Sequence, residues 1–406
     1  MLSMESPNSS PSATPSVTPS VTTSASASPA VWDFVVIGAG MAGSATAWHL
    51  ADSAQVLVLE QESQPGYHTT GRSAALFEEH YGPAQVQALT RASRAFYEQP
   101  PADFAEQALV SPRGVLYVAT PEQLPALQAA YDEARQHSPG ARWLDKTELK
   151  AFLPALNTEV LEAGFTDDGA RDMDVHALHQ GFLKGMRRRG GQLWNDARVL
   201  SLDWDASASH WQISLADGRQ LQARHVVNAA GAWADELGQM AGAAAIGLTP
   251  KRRSAFTFAM PGGMDGQHWP AVIDIGEQWY FKPDAGQLLG SPANADATHP
   301  HDVQPEMMDI AEGIDRIMQA SHFDIRRPSH SWAGLRSFVA DGEMVIGWDG
   351  QAPQFLWVAA QGGYGIQSAY GYGLLARNLA LHEPLDPALA SQGVQPQAVS
   401  PTRGLR

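Results

Sequence analysis

The sequence predicts an α/β fold, and two observations support this prediction. A strand, a glycine-rich turn, a helix and a second strand follow one another between Trp32 and Glu60, an order typical of a βαβ unit. Further along, residues 211–215 and 220–227 alternate apolar and polar side chains on either side of an Asp-Gly pair, which predicts a β-hairpin. With 406 residues, of which 44% are hydrophobic, the chain can form two or three domains with buried cores.

The composition excludes several classes of function. The chain has no cysteine, so it has no disulfide, no cysteine nucleophile, no thiolate metal site and no flavin linked to cysteine. Its formal net charge is −16, and an acidic surface repels phosphate backbones, so nucleic acid is not an expected partner. No apolar run reaches the about 18–20 residues of a membrane-spanning helix. Residues 1–30 are rich in Ser, Pro and Thr and predict a disordered leader without the features of a secretory signal, hence a cytoplasmic protein.

The βαβ unit carries a G-x-G-x-x-G motif, which is typical of dinucleotide binding in Rossmann-like folds. Gly38 permits the tight turn after the first strand, Gly40 permits close approach of a pyrophosphate, and Gly43 permits close packing of helix and strand. The start of the helix, at Met41 and Ala42, then presents N–H groups to the phosphates. The second strand ends on Glu60, about 20 residues past the first glycine, where an acid binds the ribose hydroxyls.

Longer sequence runs extend this motif to a resemblance that covers residues 32–382. The run PGYHTTGRSAA follows the second strand, and PKRRSAF, WAGLRSFVADG and VAAQGGYGIQ follow later. With these runs the chain resembles the D-amino-acid oxidase superfamily of flavoproteins, and within it the D-arginine dehydrogenase group most closely. The implied architecture is a Rossmann-like FAD-binding domain (31–103, 176–240 and 334–406). It is interleaved with an α+β substrate-binding domain on a mixed antiparallel sheet (104–175 and 241–333).

The resemblance implies that FAD is bound non-covalently, with the helix after the C-terminal glycine loop directing N–H groups at the flavin O2 edge. The residues expected to contact FAD are Gly38, Gly40, Met41, Ala42, Gly43, Glu60, Gln61, Arg72, Ser73, Ala74, Ala75, Val199, Ala230, Gly231, Trp233, Gly362, Gly363, Tyr364, Gly365 and Ile366.

The resemblance also implies the reaction and the residues that bind the substrate. A D-amino acid transfers hydride from Cα to flavin N5, water hydrolyses the imino acid to a 2-oxo acid and ammonia, and a quinone or other acceptor takes the electrons. Arginine suits the substrate carboxylate because its planar fork makes paired hydrogen bonds. Lys251 to Arg253 lie on a predicted strand, so Arg252 and Arg253 must face opposite ways, and the resemblance selects Arg253. The other implied catalytic-site residues are Arg336, Tyr280, Tyr81, Gly363 and Gln367.

Three positions depart from the D-arginine dehydrogenase pattern and concern the substrate side chain. Leu76, Glu78 and Val115 stand where that group has a histidine, a threonine and a glutamate. Either Glu78 binds a cationic side chain, or it faces solvent and the pocket prefers apolar D-amino acids. Sequence does not decide whether Glu78 or its neighbour Glu79 points inward.

Two alternative functions remain open. The first keeps the fold but uses dioxygen as an oxidase, acting on D-amino acids or on secondary amines such as sarcosine. The second is a non-catalytic flavin-binding subunit of a larger complex. A metal site is not predicted, because His299, His301 and Asp302 lie in a proline-containing loop without further ligand spacing.

Overall fold

The computed structural model describes residues 31–138, 140–262 and 264–405. The predicted leader, residues 1–30, lies outside the described residues. The strands, in chain order, are β1 (Val31–Ile37), β2 (Val56–Leu59), β3 (Leu76–Phe77), β4 (Val110–Pro112), β5 (Val115–Ala119), β6 (Arg142–Leu144), β7 (Ala163–Asp167), β8 (Arg171–Met173), β9 (Gln192–Trp194), β10 (Val199–Asp205), β11 (His210–Leu215), β12 (Gln220–Asn228), β13 (Thr249–Ala259), β14 (Ala271–Asp274), β15 (Tyr280–Asp284), β16 (Gln287–Ser291), β17 (Asp296–Ala297), β18 (His330–Phe338), β19 (Val345–Trp348) and β20 (Phe355–Ala359). The α-helices are α1 (Met41–Leu50), α2 (Ala84–Glu98), α3 (Leu124–His137), α4 (Lys146–Phe152), α5 (Val175–Arg188), α6 (Ala234–Met240), α7 (Met307–Ala320), α8 (Ala369–Ala380) and α9 (Pro387–Ala390).

The first large sheet has a parallel centre and an antiparallel extension. Its order is β10-β11-β12-β1-β2-β9, and β20 pairs with the C-terminal half of β12 and with β19. β1 is parallel to both β12 and β2. Phe34 to Ile37 are buried on both faces of β1, as expected for a parallel strand covered on each side. The predicted hairpin forms as β11 and β12.

Helix α1 lies on this sheet and is buried along its entire length. It contacts α5 and α8 as well as β1 and β2, so it has no polar face. Trp48 at its C-terminal end packs edge-on against Phe104 and Phe182. Close packing at this helix fixes the start of α1, and therefore the glycine turn before it, in one position.

The second large sheet is mixed, as predicted for the substrate-binding part. Its order is β17-β13-β16-β15-β14-β5-β7-β6, with β18 also paired to β13. β14 and β5 are parallel, whereas the neighbouring pairs are antiparallel. Helix α7 covers one face, where Ile317 packs in a core with Phe256 and Phe281. A third, small sheet has the order β3-β8-β4.

Two predicted helices differ from the structure at their starts. In the sequence, apolar residues from Val175 to Met186 recur at helical spacing and predict a helix over 172–190, but residues 171–173 form β8 and α5 begins at Val175. Asp172 is held in the strand by Arg113 and Lys282, at 2.6 and 2.8 Å, and Asp174 caps the helix by accepting a hydrogen bond from the Ala177 N–H. Likewise the C-terminal glycine loop continues through turns to Ser368, and α8 begins only at Ala369.

Within the described ranges no helix is both long enough and apolar enough to cross a membrane.

We predict that Gly43→Ala destabilises the fold. A Cβ at Gly43 would lie 1.8 Å from the Gly38 carbonyl oxygen, and this contact is between backbone segments that cannot rotate away. Overpacking of this kind costs about 1–3 kcal/mol, which thermal or denaturant unfolding would detect. Gly140→Ala is the matched control, because a Cβ there meets nothing within 4 Å. Equal unfolding midpoints for the two variants would contradict the prediction.

Candidate active site

Two adjoining cavities lie between the two large sheets. The larger has a volume of about 470 Å³ and extends from the glycine turn after β1 to the C-terminal glycine loop. The smaller has a volume of about 100 Å³ and lies toward the second sheet. The residues that line both are Ser73, Ala74, Arg253, Tyr280, Arg336, Gly363 and Ile366. This shared wall makes the two cavities one site.

The glycine turn forms one end of the larger cavity. Gly38, Gly40, Met41 and Ala42 line it, and the start of α1 has no side-chain cap and no acidic residue in its first turn. The positive end of the helix dipole is therefore available to an anion. Gly43 does not line either cavity; it packs against the Gly38 carbonyl, as its predicted packing role requires, and its contact with a cofactor stays a prediction.

Sequence analysis missed one hydroxyl at this end. Thr70 lines the cavity, and its Oγ1 accepts a hydrogen bond of 2.9 Å from the Met41 N–H. Thr70 could have been predicted from its place in the run HTTGRSAA, just before the 72–75 segment that is expected to contact FAD.

Glu60 is fixed at the cavity wall by two backbone N–H groups. Its Oε2 accepts from Ala39 at 2.9 Å and its Oε1 accepts from Glu62 at 3.0 Å. The side chain is 7% exposed, and burial raises the pKa of its carboxyl against the opposing effect of these hydrogen bonds. Gln61 and Val199 line the same region. An acceptor oriented in this way suits a pair of ribose hydroxyls.

The 69–75 segment is held by β18. Thr69 donates to the Leu335 carbonyl at 2.7 Å, and Arg72 donates to the Ala333 carbonyl at 3.1 Å. Arg72 also donates to the Val303 carbonyl and pairs with Asp302. Although Arg72 lines the larger cavity, its charge is therefore already paired with a carboxylate of the protein. Ser73 and Ala74 line both cavities, whereas Ala75 lines only the smaller one.

The C-terminal glycine loop packs against the substrate side of the site. Gly362, Gly363, Gly365 and Ile366 line the larger cavity. A Cβ at Gly363 would lie 2.9 Å from Arg336 Nη1, so the absence of a side chain lets the guanidinium lie flat against the loop. Ala230, Gly231 and Trp233 line the opposite wall. Tyr364 lines neither cavity; it packs edge-on against Tyr81 at 5.0 Å between ring centroids, and its contact with FAD stays a prediction.

The pairing of β13 with β18 brings two arginines onto one face. Arg336 lies opposite Lys251, and Arg253 lies opposite Gly334, so the two arginine side chains are on the same side of the sheet, two positions apart. Gly334 leaves room beside Arg253. The predicted alternation is confirmed, because Arg252 faces the other way and pairs with Asp309, Asp296 and Glu306.

The charge of Glu277 favours the ionised form of both inward arginines, but within the described residues it makes no salt bridge with either. Among residues 31–138, 140–262 and 264–405, neither Arg253 nor Arg336 has a carboxylate within salt-bridge distance, and Arg253 Nε is buried without a hydrogen-bond partner. Burial, and then the charge of Arg336, lowers the pKa of Arg253, yet guanidinium stays protonated in proteins. Two like charges in one cavity are stabilised by a bound anion.

Tyrosine hydroxyls surround this pair. Tyr280 lines both cavities and Tyr81 lines the smaller one. Burial raises the pKa of Tyr81, against a smaller opposing effect from Arg336, so its hydroxyl stays protonated and can donate. The cavity therefore offers guanidinium and phenol donors together, as a carboxylate requires.

The structure decides between the two neighbouring glutamates. Glu78 lines the smaller cavity and is 7% exposed, whereas Glu79 turns away and pairs with Arg94 at 2.9 Å. The Tyr117 hydroxyl donates to Glu78 Oε1 at 2.6 Å. Burial raises the pKa of Glu78 to about 7.

Val115 does not line the cavity, so that prediction is wrong. It is buried in β5 between Ala271 and Asp167, behind Leu76, which does line the smaller cavity. Tyr117, two residues along the same strand and on the same face, takes the place that Val115 was expected to occupy. Tyr117 could have been predicted from the sequence, because side chains two residues apart on a strand point to the same face.

Gln367 lines the smaller cavity but its amide is bonded to the protein. Its Oε1 accepts from the Glu78 N–H, and its Nε2 donates to the Tyr81 carbonyl and to Thr90 Oγ1. It therefore positions the segment that carries Glu78 and Tyr81. Glu277, in the turn before β15, also lines this cavity; no sequence pattern marked it.

Comparisons with known proteins match most of the chain. A family model described as FAD dependent oxidoreductase (DAO) matches residues 33–379. Glycine oxidase of Bacillus licheniformis is 24% identical over 373 residues, covering 87% of this chain and 94% of that protein. Mitochondrial dimethylglycine dehydrogenase of Mus musculus is 23% identical over 380 residues, covering 88% of this chain but only 43% of that protein, so the chain spans less than half of this relative.

Solved structures share the fold. Glycine oxidase from Geobacillus kaustophilus superposes with a TM-score of 0.78 at 21% identity, covering 92% of this chain and 98% of that one. L-α-glycerophosphate oxidase from Mycoplasma pneumoniae, solved with FAD bound, gives 0.78 at 17% identity, covering 88% and 97%. The predicted α/β architecture with a mixed second sheet is thereby confirmed.

We predict that Glu60→Ala weakens FAD binding about ten- to a hundredfold, because a hydrogen bond to a charged group contributes about 1.5–3 kcal/mol. Titration of the apoprotein with FAD, followed by flavin fluorescence, measures the change. Glu122→Ala is the control, since Glu122 is exposed and lines neither cavity. Unchanged affinity in Glu60→Ala would show that this carboxylate does not bind the cofactor.

Proposed function

The chain belongs to the DAO family of FAD-dependent oxidoreductases, and we propose that it oxidises D-amino acids to 2-oxo acids and ammonia. FAD is its cofactor. The observation that carries the proposal is a pair of arginines, Arg253 and Arg336, that lie in the wall shared by the two cavities and make no salt bridge with any described residue.

The residues of the larger cavity fit FAD. A helix start preceded by Gly40, which has no capping side chain, and the glycine turn suit the pyrophosphate, and Glu60 suits a ribose. The small residues of the 72–75 segment and of the C-terminal loop leave room for a broad planar ring. Because the chain has no cysteine, no link through sulfur forms, and we propose that binding is non-covalent.

When bound, FAD supplies the acceptor for the hydride that leaves the substrate Cα. The side chains of the protein position the substrate. Arg253 and Arg336 bind the substrate carboxylate, and the Tyr280 hydroxyl adds a hydrogen bond to the same group. Fixing the carboxylate restricts rotation and translation of Cα, and such restriction contributes a large part of the barrier reduction in reactions of this kind. A neutral substrate amine needs no strong protein base for hydride loss.

The D configuration of the substrate and the identity of the electron acceptor are the most specific parts of the proposal. The D configuration rests on the sequence resemblance to the D-arginine dehydrogenase group, because the cavity residues themselves require only an anionic head group. A quinone or similar compound as acceptor rests on the same resemblance. The predicted cytoplasmic location stays a prediction.

A second candidate is oxidation of a secondary or tertiary amine that carries a carboxylate. The relative named dimethylglycine dehydrogenase supports it, because dimethylglycine is a tertiary amine that carries a carboxylate, and the same arginine pair would bind such a substrate. A non-catalytic flavin-binding subunit is less well supported, because cofactor binding alone gives no reason for two inward arginines beside the cofactor cavity.

Flavin reduction without oxygen tests these functions directly. The holoenzyme is mixed anaerobically with D- and L-amino acids, sarcosine and dimethylglycine, and loss of oxidised-flavin absorbance is followed. We expect reduction by D-amino acids and not by their L-enantiomers; reduction by sarcosine alone would favour the second candidate. Reduction by none would contradict both. Peroxide formed during turnover in air would identify an oxidase.

We predict that Arg336→Lys lowers kcat/KM for D-amino acids about a hundredfold or more, because it keeps the charge but loses the paired hydrogen bonds. The flavin spectrum should persist, showing that FAD remains bound. Arg326→Lys is the control, since the Arg326 side chain is 86% exposed. A change below about threefold in the first variant would exclude Arg336 as the carboxylate ligand.

A further inference from the structure

We infer that Glu78 determines the side-chain specificity of the enzyme, by binding a substrate side chain that ends in a cation. The inference rests on the proposed function, since it assumes an amino acid whose carboxylate is bound by Arg253 and Arg336. It assigns recognition to a residue outside the pattern of the resembling group, whose glutamate is replaced here by the buried Val115.

The orientation of Glu78 is fixed by the protein while one oxygen stays available. The Tyr117 hydroxyl donates to Oε1 at 2.6 Å, and the Glu78 N–H donates to Gln367 at 3.3 Å. In the part of the chain that the structure describes, no group donates to Oε2. A carboxylate that lines a cavity with one free oxygen is a ready acceptor for an ammonium or guanidinium group.

Groups of both charges line the smaller cavity. The charges that act on Glu78 are those of the carboxylates of Asp167 and Glu277, and both disfavour its ionised form, after the larger effect of burial. Arg253 and Arg336 provide the positive part of the same cavity. A substrate with a carboxylate at one end and a cation at the other matches this distribution, and its cation would relieve the repulsion among the acids.

The wall of the smaller cavity is apolar apart from these groups. Leu76, Ile273 and Trp279 line it together with Ala75 and Ala293. Such a wall suits the methylene stem that lysine and arginine side chains share. It also suits a leucine or methionine side chain. The carboxyl group of Glu78 is therefore what distinguishes cationic from apolar substrate side chains.

This geometry gives the preference a pH dependence. The groups that face Glu78 are Tyr117 from β5, Asp167 from β7, Glu277 from the turn before β15, and the uncharged Gln367. Because burial and the neighbouring acids raise the Glu78 pKa to about 7, the carboxylate is ionised above that pH and neutral below it. The preference for a cationic side chain is therefore present above about pH 7 and lost as the pH falls.

The test compares Glu78→Gln with Glu79→Gln. The neighbouring Glu79 faces away from the cavity, toward Arg94, which makes it a matched control for the loss of one acid from the same segment. Anaerobic flavin reduction is measured with D-arginine and D-lysine against D-leucine and D-methionine. We expect Glu78→Gln to lower the ratio of cationic to apolar efficiency about tenfold or more, chiefly through the cationic substrates, and Glu79→Gln to leave the ratio unchanged.

The outcomes separate this inference from the proposed function. If D-leucine reduces the flavin and the ratio is the same in Glu78→Gln as in the wild type, the inference is wrong and the proposed function stands. If D-amino acids of neither kind reduce the flavin, both fall. In the wild type the ratio should rise with pH through neutrality, and in Glu78→Gln it should be flat.

Tyr117→Phe examines Tyr117 as a positioning residue. Its hydrogen bond lowers the pKa of Glu78, so its removal should shift the midpoint of the ratio to higher pH while the ratio at high pH is retained. A merely structural role for Tyr117 would change stability without moving this midpoint.

Discussion

Two partly buried guanidinium groups line one cavity, and among the described residues neither makes a salt bridge; the rest of the site depends on this constraint. Like charges in a low-dielectric interior repel, and proteins ordinarily neutralise them. Here the register between β13 and β18 places Arg253 and Arg336 on one face, while Arg252, one residue away, is surrounded by carboxylates on the other. The same strand thus carries one neutralised arginine and one left for a ligand, which is how an anion site differs from a structural ion pair.

Sequence predicted the parts of the molecule that follow local rules. The glycine motif, the buried run of β1 and the opposite orientations of Arg252 and Arg253 are consequences of backbone sterics and of the period of two along a strand. The structure matches each of them. The third glycine of the motif, Gly43, packs against the Gly38 carbonyl as predicted for close packing of helix and strand.

What sequence did not predict depends on contacts between distant segments. Asp172 belongs to a strand and not to a helix because Arg113 and Lys282 hold it there. The inward orientation of Glu78 depends on Tyr117 and Gln367, which are remote in sequence. Glu277 lies in a turn with no periodicity to mark it. These are tertiary effects, and no window of neighbouring residues contains them.

The residues that bind the substrate carboxylate and those that meet its side chain lie on different strands and segments, and this affects how the substrate specificity can change. Strand β18 both supplies Arg336 and secures the 69–75 segment through the carbonyls of Ala333 and Leu335, so a substitution in it affects two tasks at once. The group that meets the substrate side chain stands on the segment after β3, and its hydroxyl partner on β5. Substitutions at these two positions can therefore alter the substrate range in evolution, while the FAD cavity and the arginines that bind the substrate carboxylate are unchanged.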